Sequence, residues 1–353
     1  MSIEKHRKAI DKIDAEIVRL LNERTGHVLE IGKAKIAAGQ EIYAPHRESD
    51  LLRRLKKLNA GPIADESLSA IYREVMSGAI ALQKTLTIAY LGPEATFTHQ
   101  AAIRRFGSSL LYSPQKTIAD VFNEVSRNHA EYGVVPIENS TEGVVTHTLD
   151  MFTDSDLKIV AQVLLPIRHC LVGKGRLKSI KKLYSHPQAF AQCRGWLREN
   201  LPHAEFIESS STTRAAELAA KAKAAGAIAS ELAAESCKLR VLEPGIQDSS
   251  TNTTRFLVLG RKCSPPTGSD RTSLMFSLAD KVGALHQALS AIRTHKLNMT
   301  KIESRPSRRK AWEYFFYVDI EGHAEDPKVA RAIQKLGSQC SFVKVLGSYP
   351  NGD

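Results

Sequence analysis

What this chain of 353 residues has little of narrows its possibilities first. The cysteines, at positions 170, 193, 237, 263 and 340, stand too far apart for a paired framework or a metal-binding rhythm. A disulfide-built scaffold is thereby excluded, and isolated thiols in a reducing compartment are the expectation. No run approaches the roughly 20 apolar residues that cross a bilayer. The opening MSIEKHRKAIDKIDAEIV alternates charges at helical spacing instead of presenting a cleavable apolar leader. A cytoplasmic protein without membrane partners is expected. Glycines do not gather into a nucleotide fingerprint between a strand and a helix, and histidines and carboxylates lack ligand spacing. Neither a cofactor nor a metal is expected. There is no polybasic tail either. The net charge is +11, but basic and acidic residues nearly balance over the first 84 positions, so no nucleic-acid partner is expected and the excess suits small anions.

What is present is core material, 42% hydrophobic residues with 14 prolines spread among periodic segments. The period changes twice, which predicts a multidomain chain: an all-α N-terminal dimerising domain over 1–84, a two-lobed α/β domain over 85–262, a linker over 263–269, and an α+β module over 270–353. Over the first section Ile10, Ile13, Ile17, Leu20, Leu21, Val28 and Ile31 recur every three or four residues on one very long helix. A second helix follows Pro45 to about Leu58 and a third spans Asp65 to Lys84. Three such helices enclose little core, so a second chain is expected to cover the exposed stripe. From LTIAYLG onward, strands alternate with helices. A second lobe is placed at about 167–243, including an alanine-rich helix over Thr213–Ala225, and TRFLVLG returns to the first lobe as a strand. After the Pro- and Gly-rich linker the order reads βαββαβ, from RTSLMFSL through AWEYFFYVDI to SFVKVLG.

Arg24 and Lys35 sit on the apolar stripe where a solvated basic face has no reason to be. Eleven residues make about three turns, so both emerge within roughly 20° and about 16 Å apart along the axis. Long side chains can snorkel from an interface; the alternative is a chamber in which cations converge on a small polyanion, completed by Arg7, Arg47, Glu48 and Gln83. Guanidinium forks suit carboxylates. Holding both carboxylates of a compressed substrate while Lys35 and Gln83 stabilise charge on a loosening ether oxygen would drive a rearrangement without any nucleophile. On Arg7, ERTGHVLEIGKAK, HRESDLL and IYREVMSGAIALQK, this section resembles the all-helical chorismate mutase family. The resemblance implies a homodimer that converts chorismate into prephenate. It assigns the substrate carboxylates to Arg7 and Arg24, the ether oxygen to Lys35 and Gln83, and the rest of the site to Arg47 and Glu48. Ala44 and Ala79 stand where one bacterial pattern has an aspartate and a serine.

The central section carries a second set of signals. GVVPIENSTEGVV places short polar side chains at a strand end, and similar interruptions recur at Thr96 and Thr98, at Thr213 and at Thr254. Short polar groups with helix-start amides can cradle a carboxylate, although each is also a sufficient cap or turn. YLGPEATFTHQAA, GVVPIENSTEGVV, HPQAFAQC and TRFLVLG, in this order, resemble prephenate dehydratase. The implied chemistry converts prephenate into phenylpyruvate with loss of water and carbon dioxide. The implied cleft residues are Thr96, Asn139, Ser140, Thr141, Thr213, Arg255 and Phe256, with Thr254 as the preferred proton donor. An alcohol is a poor acid, so Thr254 must be a held donor supported by the site's field. Glu138 and His186 titrate more readily, but a glutamate after proline can brace the loop and HPQ makes a turn. Ala95 stands where glycine is commoner.

GALHQAL over 283–289 and ESRP over 303–306, within the βαββαβ order, resemble the ACT regulatory domain. The resemblance implies phenylalanine bound between paired domains through Gly283, Ala284, Leu285, Asn298, Glu303, Ser304, Arg305 and Pro306, with feedback inhibition. The whole reads as a bifunctional chorismate mutase and prephenate dehydratase of homodimeric or higher assembly. A dehydratase whose helical domain only dimerises, and a non-catalytic amino-acid-responsive regulator, are the competing readings.

Overall fold

The computed structural model describes residues 3–307 and 313–351. The chain divides into two compact units, Met1–Leu86 with Phe106–Leu111, and Thr87–Arg105 with Tyr112–Asp353. Among the described residues no helix is long and apolar enough to cross a membrane.

The first unit is built on α1 (Ile3–Ala37), α2 (Pro45–Leu58) and α3 (Asp65–Gln83). Pro45 opens α2, where its missing N–H is not needed, and Glu48 in the first turn with Lys56 and Lys57 in the last complement the helix dipole. Asn59 closes the connection to α3 by donating to Ile63 O and Asp65 Oδ1. Because α3 packs against both α1 and α2, most of α1 is left uncovered in one chain. Ile10, Ile13 and Ile17 are about half exposed, at 54%, 58% and 48%.

The second unit contains three sheets. The first lobe runs β1 (Thr87–Leu91), α4 (Phe97–Phe106), β2 (Leu111–Gln115), α5 (Ile118–Ser126), β3 (Tyr132–Asn139), β4 (Gly143–Val144), α6 (Thr146–Met151) and β5 (Lys158–Pro166). The second lobe runs β6 (Cys170–Gly173), β7 (Lys182–Ser185), α7 (Pro187–Gln192), α8 (Arg194–Asn200), β8 (Glu205–Glu208), α9 (Thr212–Lys221), β9 (Ala225–Ala229), α10 (Glu231–Ser236) and β10 (Arg240–Glu243). The chain then returns as β11 (Thr253–Gly260), which inserts between β3 and β5, giving the order β2-β1-β3-β11-β5. The second sheet has the order β10-β6-β9-β7-β8. The alanine-rich helix expected over Thr213–Ala225 is shorter at its end: α9 stops at Lys221, Ala224 turns the backbone with φ of 51°, and Ala225 already begins a strand buried along its whole length. Burial between neighbouring strands overrides the helix preference of alanine there.

The third sheet comprises β12 (Asp270–Ser277), α11 (Ala284–Thr294), β13 (Met299–Pro306), β14 (Tyr314–Glu321), α12 (Pro327–Gly337) and β15 (Phe342–Pro350). It has the order β13-β14-β12-β15 with every pairing antiparallel. This is the expected βαββαβ chain order; the first residues of AWEYFFYVDI, Ala311 and Trp312, lie outside the described residues. One face of the sheet packs on α11 and α12 through Leu274, Phe276, Val318 and Ile320. The other shares a core with the first lobe, where Met275, Tyr317 and Leu346 meet Ile137, Phe152 and Leu257. Gly347 permits this approach, since a side chain there would collide with the backbone of Ile159.

Candidate active sites and regulatory region

In the helical unit, helical spacing brings Arg24 and Lys35 to one side of α1, and both are half-buried. Lys35 Nζ donates to Ile42 O at 3.0 Å, and burial pulls its pKa down. Gly32 between them is buried, and a side chain there would strike Gln83, so the glycine lets α3 set that amide against α1. Gln83 Nε2 donates to Ala79 O at 3.2 Å. Arg24 Nη1, His46 Nδ1 and Ser49 Oγ are buried without hydrogen-bond partners among the described residues. His46 is driven toward its neutral form by burial and then by the charge of Lys35. Arg47 is exposed and Glu48 half-buried on the first turn of α2, and Ala44 and Ala79 offer no polar side chain. Arg7 lies on the same helix 17 residues before Arg24, about 26 Å along a continuous axis. One chain therefore does not bring Arg7 to the other cations.

The second candidate site forms where β11 returns beside β3. Thr254 pairs with Asn139 in register, and Arg255 pairs with Glu138. Asn139 Nδ2 donates to Thr254 Oγ1 at 2.7 Å and to Asn252 Oδ1 at 2.8 Å, while Asn139 Oδ1 accepts from Thr141 N, Thr141 Oγ1 and Glu142 N. Ser140 Oγ accepts from Thr253 N and donates to Thr251 O, tying the ENST loop to the start of β11. Asn252 Nδ2 donates to Gln192 Oε1 at 2.9 Å, and the His169 ring lies 2.8 Å from the same oxygen. The network thus crosses from the first lobe to the second.

Around it, Thr96 caps α4, accepting from His99 N and donating to Leu91 O. Ala95 holds φ of 60°, gives its N–H to His99 Nδ1 at 3.0 Å and accepts from Ser230 of the second lobe at 3.2 Å. Thr213 is buried in the first turn of α9, its hydroxyl oxygen unpartnered among the described residues. Phe256 is buried. His186 Nδ1 accepts from Gln188 N at 3.3 Å, the turn role expected of HPQ.

Arg255 lies on the other side of the strand from Thr254. Successive side chains of a strand point to opposite faces, so its guanidinium leaves the Thr254 side and is buried against the third sheet. It donates to Glu138 Oε1 at 2.8 Å, Asp319 Oδ2 at 2.7 Å and Tyr349 OH at 2.7 Å. Burial works against its charge, but Tyr349, Asp319 and Glu138 outweigh burial and hold it protonated. Glu138 also receives Lys301 Nζ at 2.5 Å. Burial alone would raise the Glu138 pKa, yet Lys301 and Arg255 hold it below the ordinary carboxylate range, the reverse of what a neutral acid needs. Asn252, Gln192 and His169 were not singled out as site residues from the sequence. Gln192 lay inside HPQAFAQC and Asn252 directly before TTRF, but nothing local marks His169.

In the C-terminal region, Gly283 adopts φ of 77° as it opens α11, Ala284 is buried and Leu285 partly exposed. Asn298 Nδ2 donates to Glu321 Oε1 at 3.1 Å. Glu303, Ser304, Arg305 and Pro306 lie on β13, an edge strand. Arg305 is committed to the first lobe, donating from Nε and Nη2 to the two carboxylate oxygens of Asp150 at 3.2 and 3.1 Å.

Three family models match the chain in order: Chorismate mutase type II over residues 6–84, Prephenate dehydratase over 88–264 and ACT domain over 272–338. A bifunctional chorismate mutase/prephenate dehydratase of Aquifex aeolicus is 49% identical over 349 residues, covering 98% of this chain and 96% of the relative. The crystal structure of prephenate dehydratase from Arthrobacter aurescens in complex with L-Phe is 34% identical with a TM-score of 0.71, covering 75% of this chain and 90% of that one. A structure described as GqqA, a novel type of quorum quenching acylase, is 31% identical with a TM-score of 0.70, covering 75% and 98%.

Proposed function

We propose, because the chain belongs to the bifunctional chorismate mutase/prephenate dehydratase family, that it rearranges chorismate to prephenate in its helical unit. It then converts prephenate to phenylpyruvate, with loss of water and carbon dioxide, between the lobes of its second unit. The observation that carries the second activity is the 2.7 Å bond from Asn139 Nδ2 to Thr254 Oγ1. A donor filling a lone pair of this hydroxyl leaves its hydrogen available to the leaving group and stabilises the oxygen as that hydrogen departs. Among the described residues no imidazole or carboxylate hydrogen-bonds to Thr254 Oγ1 to act as a base, which disfavours an acyl-transfer reading of the same fold. Thr96, Ser140, Thr141 and Phe256 shape the cleft in this reading, and the unpartnered Thr213 hydroxyl is free for a substrate carboxylate.

In the mutase site Arg24, Lys35, Arg47, Glu48 and Gln83 act with Arg7 of a second chain. The uncovered stripe of α1 and the distance of Arg7 from Arg24 along the helix support a homodimer. The functional modules are 1–84, 85–262 and 270–353, joined by 263–269, in a cytoplasmic enzyme that needs no cofactor. The third module binds phenylalanine through Gly283 to Leu285, Asn298 and Glu303 to Pro306, and inhibits the dehydratase. The phenylalanine complex of the Arthrobacter relative supports that ligand. Lys301 to Glu138 and Asp319 to Arg255 offer it a route to Asn139 and Thr254, the neighbours of Glu138 and Arg255 in the chain.

Product analysis after supplying chorismate and prephenate separately tests this reading. Prephenate and then phenylpyruvate accumulate if it is right. Turnover of prephenate without consumption of chorismate would reduce the helical unit to a dimerisation domain, and no turnover of either would end the proposal.

A further inference from the structure

The amides around Thr254 can be oriented without ambiguity, because the chain they form ends on both sides in groups with a single hydrogen-bonding role. At one end the backbone N–H groups of Thr141 and Glu142 reach Asn139 Oδ1 at 2.9 and 3.0 Å. A backbone N–H only donates, so this position must be the amide oxygen. The Asn139 nitrogen is therefore turned to Asn252 Oδ1 and Thr254 Oγ1. At the other end Gln192 Nε2 donates to Glu142 Oε1 at 3.0 Å, and a carboxylate only accepts. Gln192 Oε1 is left to accept from Asn252 Nδ2 at 2.9 Å and from the His169 ring at 2.8 Å. His169 must carry its hydrogen on Nε2. Burial favours its neutral form, and Nδ1 has no partner among the described residues.

We propose that His169 and Asn252 are positioning residues for the dehydratase reaction: the Thr141 and Glu142 N–H groups set which way Asn139 faces, and Asn252, itself held by Gln192 and His169, keeps the Asn139 nitrogen in place against Thr254 Oγ1 so that Thr254 acts as a donor. This rests on the reading of Thr254 as the proton donor. With the opposite polarity the Asn139 carbonyl would accept the Thr254 hydrogen and take it out of use. In the observed polarity Thr254 passes its hydrogen to the leaving hydroxyl and the carbon–oxygen bond breaks to release water. The electrons of the bond to the ring carboxylate enter the ring as carbon dioxide leaves, and the Thr254 oxygen regains a proton from water. An N–H already pointing at that oxygen lowers the cost of the charge that builds on it.

The two residues also lie on the two segments that join the lobes, His169 between β5 and β6 and Asn252 between β10 and β11. These segments clasp one another: Ile246 N donates to His169 O at 2.8 Å, His169 N to Gln247 Oε1 at 3.0 Å, and Ile167 N to Asn252 O at 2.8 Å. The relay is thus anchored where the two lobes are tied together.

The test uses the full chain with prephenate as substrate. His169→Leu and Asn252→Leu lower kcat by about 10- to 100-fold while KM stays within about threefold. His169→Gln, which keeps an N–H for Gln192, recovers most of the lost rate. In a Thr254→Val background His169→Leu adds no further loss, because both changes remove one function. The inference is overturned if His169→Leu keeps the wild-type kcat, if His169→Gln is as slow as His169→Leu, or if the two losses multiply. It is also overturned if KM rises in step with the fall in kcat. Thr254→Val with an undiminished kcat would instead overturn the donor reading itself, and with it this inference.

Discussion

The two faces of β11 have opposite characters although their residues alternate along eight positions. On one face Thr254 meets neutral groups, Asn139 and through it Asn252, all short and all joined by hydrogen bonds. On the other, Arg255 meets Glu138, Asp319 and Tyr349, a buried ionic cluster that welds the first lobe to the third sheet. Asp319 is itself held by Ser273, whose hydroxyl also lies 2.7 Å from Tyr349 OH. The contrast teaches that adjacent residues of one motif can serve different ends: in the proposed reading the neutral face gives up a hydrogen, while the charged face ties the strand to the third sheet.

Substitutions on each face separate the two roles. Thr254→Val is the largest expected effect on activity: prephenate turnover falls by about 10²- to 10⁴-fold, while the urea midpoint stays at the wild-type value. A large shift of that midpoint would deny the division of faces. Arg255→Leu acts in the other sense. It leaves Glu138 with Lys301 alone and the buried Asp319 with only the more distant Arg271, and costs about 3–5 kcal/mol of stability, read as an earlier urea transition of the second unit. A transition unmoved by the change would show that the cluster holds nothing together.

Acidification sharpens the charged side further. The Glu138 pKa is depressed in the folded chain, so its contribution to stability is complete above the pKa of a free carboxylate. It is lost as the pH falls through the lower folded value. Unfolding free energy should therefore drop between about pH 6 and about pH 3, and Lys301→Met, which removes one of the cations holding Glu138 ionised, should flatten that part of the profile. An identical profile in the variant would remove Lys301 from the account. The smallest effect is expected at Ala95. Its φ of 60° is strained for alanine, but glycine would lose a buried methyl group and loosen the unfolded chain. Ala95→Gly should change stability by no more than about 1 kcal/mol in either direction, as measured by thermal unfolding.

Much of the architecture was legible because its signals are local. The stripe of isoleucines on α1 has helical period, and α11 and α12, which follow β12 and β14, have an apolar spacing that differs from that of the strands. The end of the alanine-rich helix, expected at Ala225 and found at Lys221, was less legible because alanine has no side chain with which to declare a strand, and only burial between β6 and β7 makes Ala225 the start of one. At the candidate site, ENST and TRF were visible as polar phrases at strand ends. His169 was not, because an isolated histidine between an arginine and a buried cysteine resembles many core residues until a fold sets Gln192 against it.

The order of the three regions, the basic positions on an apolar helical face and the polar phrase TRF at a strand start were determined by the sequence alone, since periodicity and residue type act over a few neighbouring positions. Tertiary structure decided which face of β11 each residue serves and how the amide relay points. Those outcomes depend on the pairing of strands more than 100 residues apart along the chain, where one step of register exchanges the two faces.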